Sequence, residues 1–139
     1  MHIKFLENEI AKNFIKDYKQ SKELLKYLYV IEWLKEENVK LYLLYNDSLE
    51  IVKSFILLSR MKHDPLKSHK NPYYLNYIYT FEEFRRKGHA YFLATEVKNV
   101  ENITVFCVDD MTQNLFKKAG YIFKSVDPLY NALPIYRYP

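Results

Sequence analysis

Residues 85–97 read RRKGHAYFLATEV, three cations and a glycine ahead of a stretch in which Phe92, Leu93 and Val97 recur at helical spacing. The pattern predicts a helix over 85–99. Cations at the head of a helix are unfavourable, because that end carries a partial positive charge. An anion docked there would turn the conflict into an attraction. The glycine sharpens the point. A chain of this length and ordinary composition would hold roughly ten glycines. This one holds two, Gly88 and Gly120. A glycine that scarce marks a place where a side chain does not fit.

Upstream, YYLNYIYTF (73–81) is aromatic and β-branched enough for a strand. A strand that turns into a helix aims several free backbone N–H groups at one point, and the helix dipole adds to their field. Gly88 opens the main chain to a ligand, Ala90 is nearly as small, and Arg85, Arg86 and Lys87 add charge. The junction points to a phosphate or pyrophosphate. Taken alone, R-x-x-G-x-A also fits a solvated basic helix start. No G-x-x-x-x-G-K-[ST] is present, and the three glycines of a dinucleotide-binding fingerprint are missing.

Outward from the junction, the remaining elements fall into order. HIKFL (2–6) reads as a short strand. ENEIAKNFIKDYK (7–19) reads as a helix with Ile10, Phe14, Ile15 and Tyr18 on its apolar stripe. Ser21 is placed to cap a second helix over 21–37, with Leu24, Leu25, Leu28, Ile31 and Trp33 or Leu34 buried. VKLYLLY (39–45) and IVKSFILLSRMK (51–62) flank the turn NDSLE and read as a β-hairpin. HDPLKSHKNP (63–72) is a polar loop. Past the central helix come a strand over 101–108, a helix over 111–120 stopped by Gly120, and strands over 121–126 and 134–138. The order β-α-α-β-β-β-α-β-α-β-β is α/β or α+β in class.

Composition sets the outer bounds. The 139 residues suffice for one core, and 49% hydrophobic and 17% aromatic content makes them fold. The net charge of +4 favours an anionic partner without naming it. The lysines are spread rather than clustered, and no basic–aromatic motif supports nucleic-acid binding. The single cysteine, Cys107, fits a reducing compartment. The N-terminus turns charged within a few residues, and no apolar run approaches a membrane span of about 20 residues. A cytoplasmic protein without a membrane partner is the expectation.

At this point the sequence resembles a known family. YIYTFEEFRRKGHAYFL (77–93) is similar to motif A of the GNAT superfamily of acyl-CoA-dependent N-acetyltransferases, a strand leading into [QR]-x-x-G-x-[GA] at a helix head. Arg85, Gly88 and Ala90 occupy the three defining positions. The preceding YTFEEF is similar to a Y-T-P-x-E-Y-R form, with Phe81 or Glu82 where proline is usual. ITVFCVDDMTQNLFKKAGYIF (103–123) resembles motif B, a strand followed by N-x-x-A-x-x-L-Y-x-K-x-G-[FY], with Leu115, Lys118, Gly120 and Tyr121 matching. The resemblance implies one minimal GNAT domain over 1–139, with a mixed, mostly antiparallel central sheet flanked by helices.

It also implies acetyl-CoA as cosubstrate. Its pyrophosphate would meet the backbone N–H groups of roughly Arg86 to Tyr91, so that Arg85, Arg86, Lys87, Gly88, His89, Ala90 and Tyr91 form the cradle. The pantetheine arm would pair along Ile78, Tyr79 and Thr80, where a backbone N–H polarises the acyl carbonyl. An amine would attack directly, losing its proton to a base or to water. His89 fills a position where any residue occurs, and is read as lying beside the phosphates and not as a base.

Three departures matter. The motif B tyrosine, often the general acid, is Phe116, which has no proton to give. The asparagine position is Asp109, and the alanine position is Thr112. A carboxylate at 109 is tolerable near an anionic ligand only if it points away or finds a partner. A general acid contributes about 10²–10⁴-fold, so its loss weakens catalysis without excluding it. Other acids are poorly marked: Cys107 reads as core, Tyr79 as facing either acceptor or core, and Glu82 and Glu83 as solvating their turn. His63, Asp64 and His69 match no zinc spacing.

The enzyme reading competes with a GNAT-like module that binds CoA or a protein and turns over slowly or not at all. A basic nucleic-acid binder trails both. The acceptor, a small-molecule or peptide amine, would lie over the aromatic segment 21–37 and the tail PLYNALPIYRY (128–138). That aromatic surface equally suits a homodimer interface.

Overall fold

The hairpin predicted from NDSLE is the centre of the molecule. Strands β2 (Val39–Tyr45) and β3 (Val52–Arg60) pair antiparallel. Asn46 shapes the turn, its Oδ1 accepting from the N–H of Glu50 and of Ile51. Both strands are buried almost throughout, so both faces of the hairpin carry helices. The computed structural model describes residues 2–64, 66, 72–127 and 133–138.

Strand β1 (His2–Glu7) adds to β2, and β4 (Tyr73–Thr80) to β3, both antiparallel. Strands β5 (Ile103–Phe106), β6 (Ile122–Val126) and β7 (Pro134–Arg137) complete a seven-stranded sheet in the order β1-β2-β3-β4-β5-β7-β6. β4 and β5 run parallel, and the other pairings are antiparallel. On one face, α1 (Asn8–Asp17), a 3-10 helix (Lys19–Lys26) and α2 (Leu28–Lys35) bury Ala11, Ile15, Leu24, Val30 and Trp33. On the other, α3 (His89–Val97) and α4 (Asp110–Lys118) bury Leu93, Ala94, Val97 and Phe116.

The element order is the one the sequence predicts, with corrections to helix phase and extent. The helix expected over 21–37 is broken at Tyr27, whose backbone is extended (φ −75°, ψ 136°). Leu24 and Val30 are both buried, yet on one continuous α-helix they would lie about 120° apart. The break brings both to the sheet. It also turns out Leu28, expected inside, to 64% exposure. Trp33 anchors the second piece, its indole N–H donating to the Leu58 carbonyl at 3.0 Å. In α1 the stripe runs through Ala11 and Ile15, and Ile10 faces outward at 67% exposure. The cap expected at Ser21 lies outside the described side chains.

Strand β4 is kinked by a bulge. Leu57 faces Tyr77 and Leu58 faces Leu75, which leaves Asn76 as the extra residue. Alternation therefore changes phase. Tyr73 and Leu75 turn to the α3/α4 face before the bulge, and Ile78 does so after it. Tyr77 and Tyr79 turn to the α1/α2 face, followed by Phe81 beyond the strand.

Candidate functional site

The site lies where β4 hands over to α3. A 3-10 turn, Glu82–Phe84, follows the strand, with Phe84 N–H donating to the Phe81 carbonyl and Arg85 N–H to that of Glu82. Arg85 then folds back. Its Nε–H donates to the Thr80 carbonyl at 2.8 Å, and its guanidinium stands 5.3 Å from the Tyr79 ring. Arg86 (φ +65°) and Gly88 (φ +79°) are both left-handed. A helix cannot run through that conformation, so Gly88 is the N-cap and α3 begins at His89. This corrects the helix expected from residue 85. The three cations precede the helix instead of occupying its first turn, and Arg85 is engaged by the end of β4.

The start of α3 is bare. Its first backbone bond runs from Phe92 N–H to the Gly88 carbonyl, and no side chain caps it. The N–H groups of His89, Ala90 and Tyr91 therefore have no partner within the helix. Helix α4 differs. Asp109 is its N-cap, accepting from Thr112 N–H at 2.7 Å, and Asp110 stands in its first turn. Those bonds to Thr112 hold the Asp109 carboxyl below its usual range. Asp109 and Thr112, two of the three departures from motif B, are thus one capping interaction.

A cleft of about 190 Å³ opens over the α3 terminus. Thr80, Arg85, Arg86, Gly88, His89, Ala90 and Tyr91 of the expected site line it, and Phe84 and Leu115 join them. A Cβ on Gly88 would meet no heavy atom within 4 Å beyond its own chain neighbours, so the position faces open space. Lys87 is exposed nearby. Ile78 packs toward α3 and α4, Tyr79 turns to the opposite face, and Phe116 is 1% exposed in the core. None of these four is among the lining residues. Phe84 and Leu115 carry no chemical signal that sequence reading could use; Leu115 was visible only as a motif match.

His89 is the unusual member. It is 7% exposed, and neither ring nitrogen has a hydrogen-bond partner among the described residues. Burial, then the charges of Lys53 and Lys87, hold its pKa below the usual histidine value.

Beside the cleft the sheet parts. Among the described residues β4 and β5 pair only at Tyr73↔Ile103 and Tyr74↔Thr104. Further along, β5 pairs with β7 through Val105 and Phe106. All eight residues of β4 are half-buried, although the strand is central in the sheet. Its far end thus presents a strand edge to whatever enters between the two halves.

The other candidate groups fall elsewhere. Cys107 is buried, and burial with the nearby Asp109 pushes its thiol up to about 12. It is therefore protonated core at neutral pH. Glu82 and Glu83 are exposed on their turn. His63 is exposed, Asp64 pairs with Arg137, and His69 lies outside the described residues. No group of three metal-ligating side chains comes together among the described residues.

On the opposite face the aromatic segment meets β4. Tyr29 stacks on Tyr77 at 5.8 Å, Tyr77 on Tyr79 at 5.8 Å, and Tyr27 stands 6.2 Å from Tyr77. Tyr27 and Tyr29 are half-exposed. Of the tail, residues 128–132 lie outside the described ones, and Ile135, Tyr136 and Arg137 are buried. The exposed aromatic surface there belongs to the 3-10/α2 junction and not to β7. No described helix is long and apolar enough to cross a membrane.

No family model and no curated protein matches the sequence. Solved structures do match the fold. Arabidopsis thaliana NAA60 in complex with a bisubstrate analogue superposes with a TM-score of 0.60 at 11% identity, over 99% of this chain and 97% of that one. The catalytic domain of Tetrahymena GCN5 histone acetyltransferase, in complex with coenzyme A, gives 0.60 at 14% identity over 98% and 90%. The aminoglycoside N-acetyltransferase AAC(6')-Iy, in complex with CoA, gives 0.59 at 16% identity over 94% and 98%. The chain has the GNAT acetyltransferase fold: a mostly antiparallel seven-stranded sheet with helices on both faces.

Proposed function

We propose that this chain is an N-acetyltransferase that moves an acetyl group from acetyl-CoA to a primary amine. The observation that carries this is the uncapped α3 terminus at the end of β4, with Gly88 among the residues that line the cleft over it. The solved structures of this fold with bound CoA or bisubstrate analogues support it.

The residues then divide the work. The N–H groups of His89, Ala90 and Tyr91 hold the pyrophosphate, and Arg86 and Lys87 add to the field. The edge of β4 over Ile78, Tyr79 and Thr80 pairs with the amides of the pantetheine arm. A backbone N–H on that edge stabilises the developing oxyanion. Acetyl-CoA supplies the activated thioester. The amine lone pair forms the new C–N bond, the C–S bond breaks, and sulfur leaves with its electron pair. The amine proton passes to solvent or a base. Thiols ionise near about 8.5, so the thiolate leaves without obligatory help from an acid.

Phe116, which has no hydroxyl to give a proton where the resembled motif carries tyrosine, favours a second reading, a GNAT-like CoA-binding or protein-interaction module with weak or no turnover. The acceptor, a small molecule or peptide, belongs to the face of Tyr27, Tyr29 and Tyr77; a homodimer would use the same surface.

The thermal midpoint with and without millimolar acetyl-CoA tests the cofactor site. A ligand at about 100 times its Kd stabilises the folded state by about 2.7 kcal/mol, several degrees for this size. The shift should vanish in an Arg86→Glu/Gly88→Asp double variant. No wild-type shift would mean that the cofactor site is idle. Thiol release with a panel of amines then separates enzyme from module.

A further inference from the structure

We infer that the imidazole of His89 is the ionisable arm of this cradle: docking of a pyrophosphate draws a proton onto its ring, so that ligand binding and protonation are linked. The inference rests on the pyrophosphate reading above and deepens it.

Three observations carry it. His89 is the first residue of α3 and lines the cleft. It is 7% exposed, and both of its ring nitrogens lack hydrogen-bond partners among the described residues. A buried neutral imidazole normally has both its donor and its acceptor engaged, so this ring, in the wall of a binding cleft, keeps bonding capacity that a docked ligand could draw on once the ring turns toward it.

The third observation is the charge around it. Lys53 comes from β3 and Lys87 from the turn, and both oppose protonation. Arg85 and Arg86 line the same cleft, and the positive end of α3 acts in the same sense. β4 and α4 contribute Thr80 and Leu115, neither of which titrates, and Tyr91 adds a neutral phenol. Among the described residues no carboxylate lines the cleft to offset the cations. The free site therefore holds His89 neutral. A bound pyrophosphate reverses the local field and accepts a hydrogen bond from the imidazolium, which favours the charged form. The proton comes from solvent and settles on the lone pair of a ring nitrogen. No bond of the ligand changes.

The sign follows from linkage. The bound state holds more protons than the free state, so affinity rises as pH falls between the free and bound pKa values. The probe is dephospho-CoA, which keeps the pyrophosphate but lacks the phosphomonoester whose own second ionisation, near about 6, would blur the result. Titration calorimetry between about pH 5.5 and 8 should show tighter binding at low pH, with a slope approaching tenfold per pH unit at its steepest. Buffers of different ionisation enthalpy should report proton uptake at intermediate pH. His89→Gln should bind with an affinity nearly independent of pH and take up no proton.

NMR of wild-type His89 gives an independent readout should that variant fail to fold. Its ring signals should titrate at higher pH with dephospho-CoA than without. A wild-type affinity flat across this range, or an unmoved His89 titration, overturns the proposal and makes the ring a packing group. Absence of dephospho-CoA binding at every pH removes the cradle as well as the proposal. Binding without proton uptake removes only the latter.

Discussion

The two glycines share a positive φ and differ in what stands behind them. Gly88 at φ +79° faces open space. Gly120, at φ +95°, faces Lys98, whose Nζ donates to the Ala119 carbonyl at 2.6 Å and would run into an added Cβ. An L side chain in the left-handed region costs about 1–2 kcal/mol. Gly88→Ala should lose about that much unfolding free energy, from the left-handed backbone alone, since the new methyl meets nothing. Gly120→Ala should lose more, since Lys98 must also leave the carbonyl end of α4. Urea unfolding of both variants checks the order, and a costlier Gly88→Ala would contradict it. Scarcity, together with their places at a helix start and a helix stop, made both positions conspicuous in the sequence. Arg86 was not conspicuous in this way. It takes φ +65° with no glycine to ease it, and nothing in an arginine's identity marks a left-handed residue. Strain of that kind gathers at functional sites, which is consistent with its place on the cleft.

At the scale of elements, α4 is defined at both ends by residues legible in the sequence. Asp109 caps its start. At its end, Gly120 N–H donates to the Lys117 carbonyl and Tyr121 N–H to that of Phe116, a Schellman stop. The rings of Phe116 and Tyr121 close the motif edge to face at 4.9 Å. Phe116 is therefore a packing residue of the helix stop, whatever a tyrosine there would do for chemistry. Phe116→Tyr puts the two roles to separate measurements. The new hydroxyl enters a core site, and stability should fall by about 1–3 kcal/mol. Turnover should rise if the missing acid limits the rate. A stability loss with an unchanged rate would assign position 116 to packing alone. Element order was readable because each apolar run has a clear period and a turn behind it. Helix phase was less so. Ile10 fits an apolar stripe on paper, but α1 buries Ala11 and Ile15 instead; Leu28 faces solvent because a 3-10 segment and an extended Tyr27 re-phase the chain before it. The start of α3 was misplaced for a related reason: helical spacing reads the same whether the first turn is helical or coiled.

For the whole molecule, the fold is clamped at one end and open at the other. Strands β1–β4 and β5–β7 share two residue pairs among the described residues, both at the start of β4. The other ties crowd around that end. Tyr73 N–H donates to the Asn102 carbonyl at 2.9 Å. Glu101 accepts from Lys40 Nζ at 2.9 Å and from the Tyr42 hydroxyl at 2.6 Å; burial and that carboxylate hold the phenol above its usual range. Arg137 of β7 pairs with Asp64, from the segment after β3, and donates through Nε to Thr104 of β5 at 2.8 Å. No spacing rule joins residues 64 and 137, so this clamp could not be read from the sequence. Its two side chains are 1% and 8% exposed, and removing one member of a buried pair costs about 3–5 kcal/mol. Asp64→Ala should therefore lose a large part of a total stability of about 5–15 kcal/mol. Asp64→Leu/Arg137→Met should recover much of the loss, because it leaves no buried charge behind. Unfolding midpoints of the single and double variants measure the coupling. A loss below about 1 kcal/mol in Asp64→Ala would mark the pair as solvent-screened, and the two half-sheets would then be held by strand pairing and core packing alone.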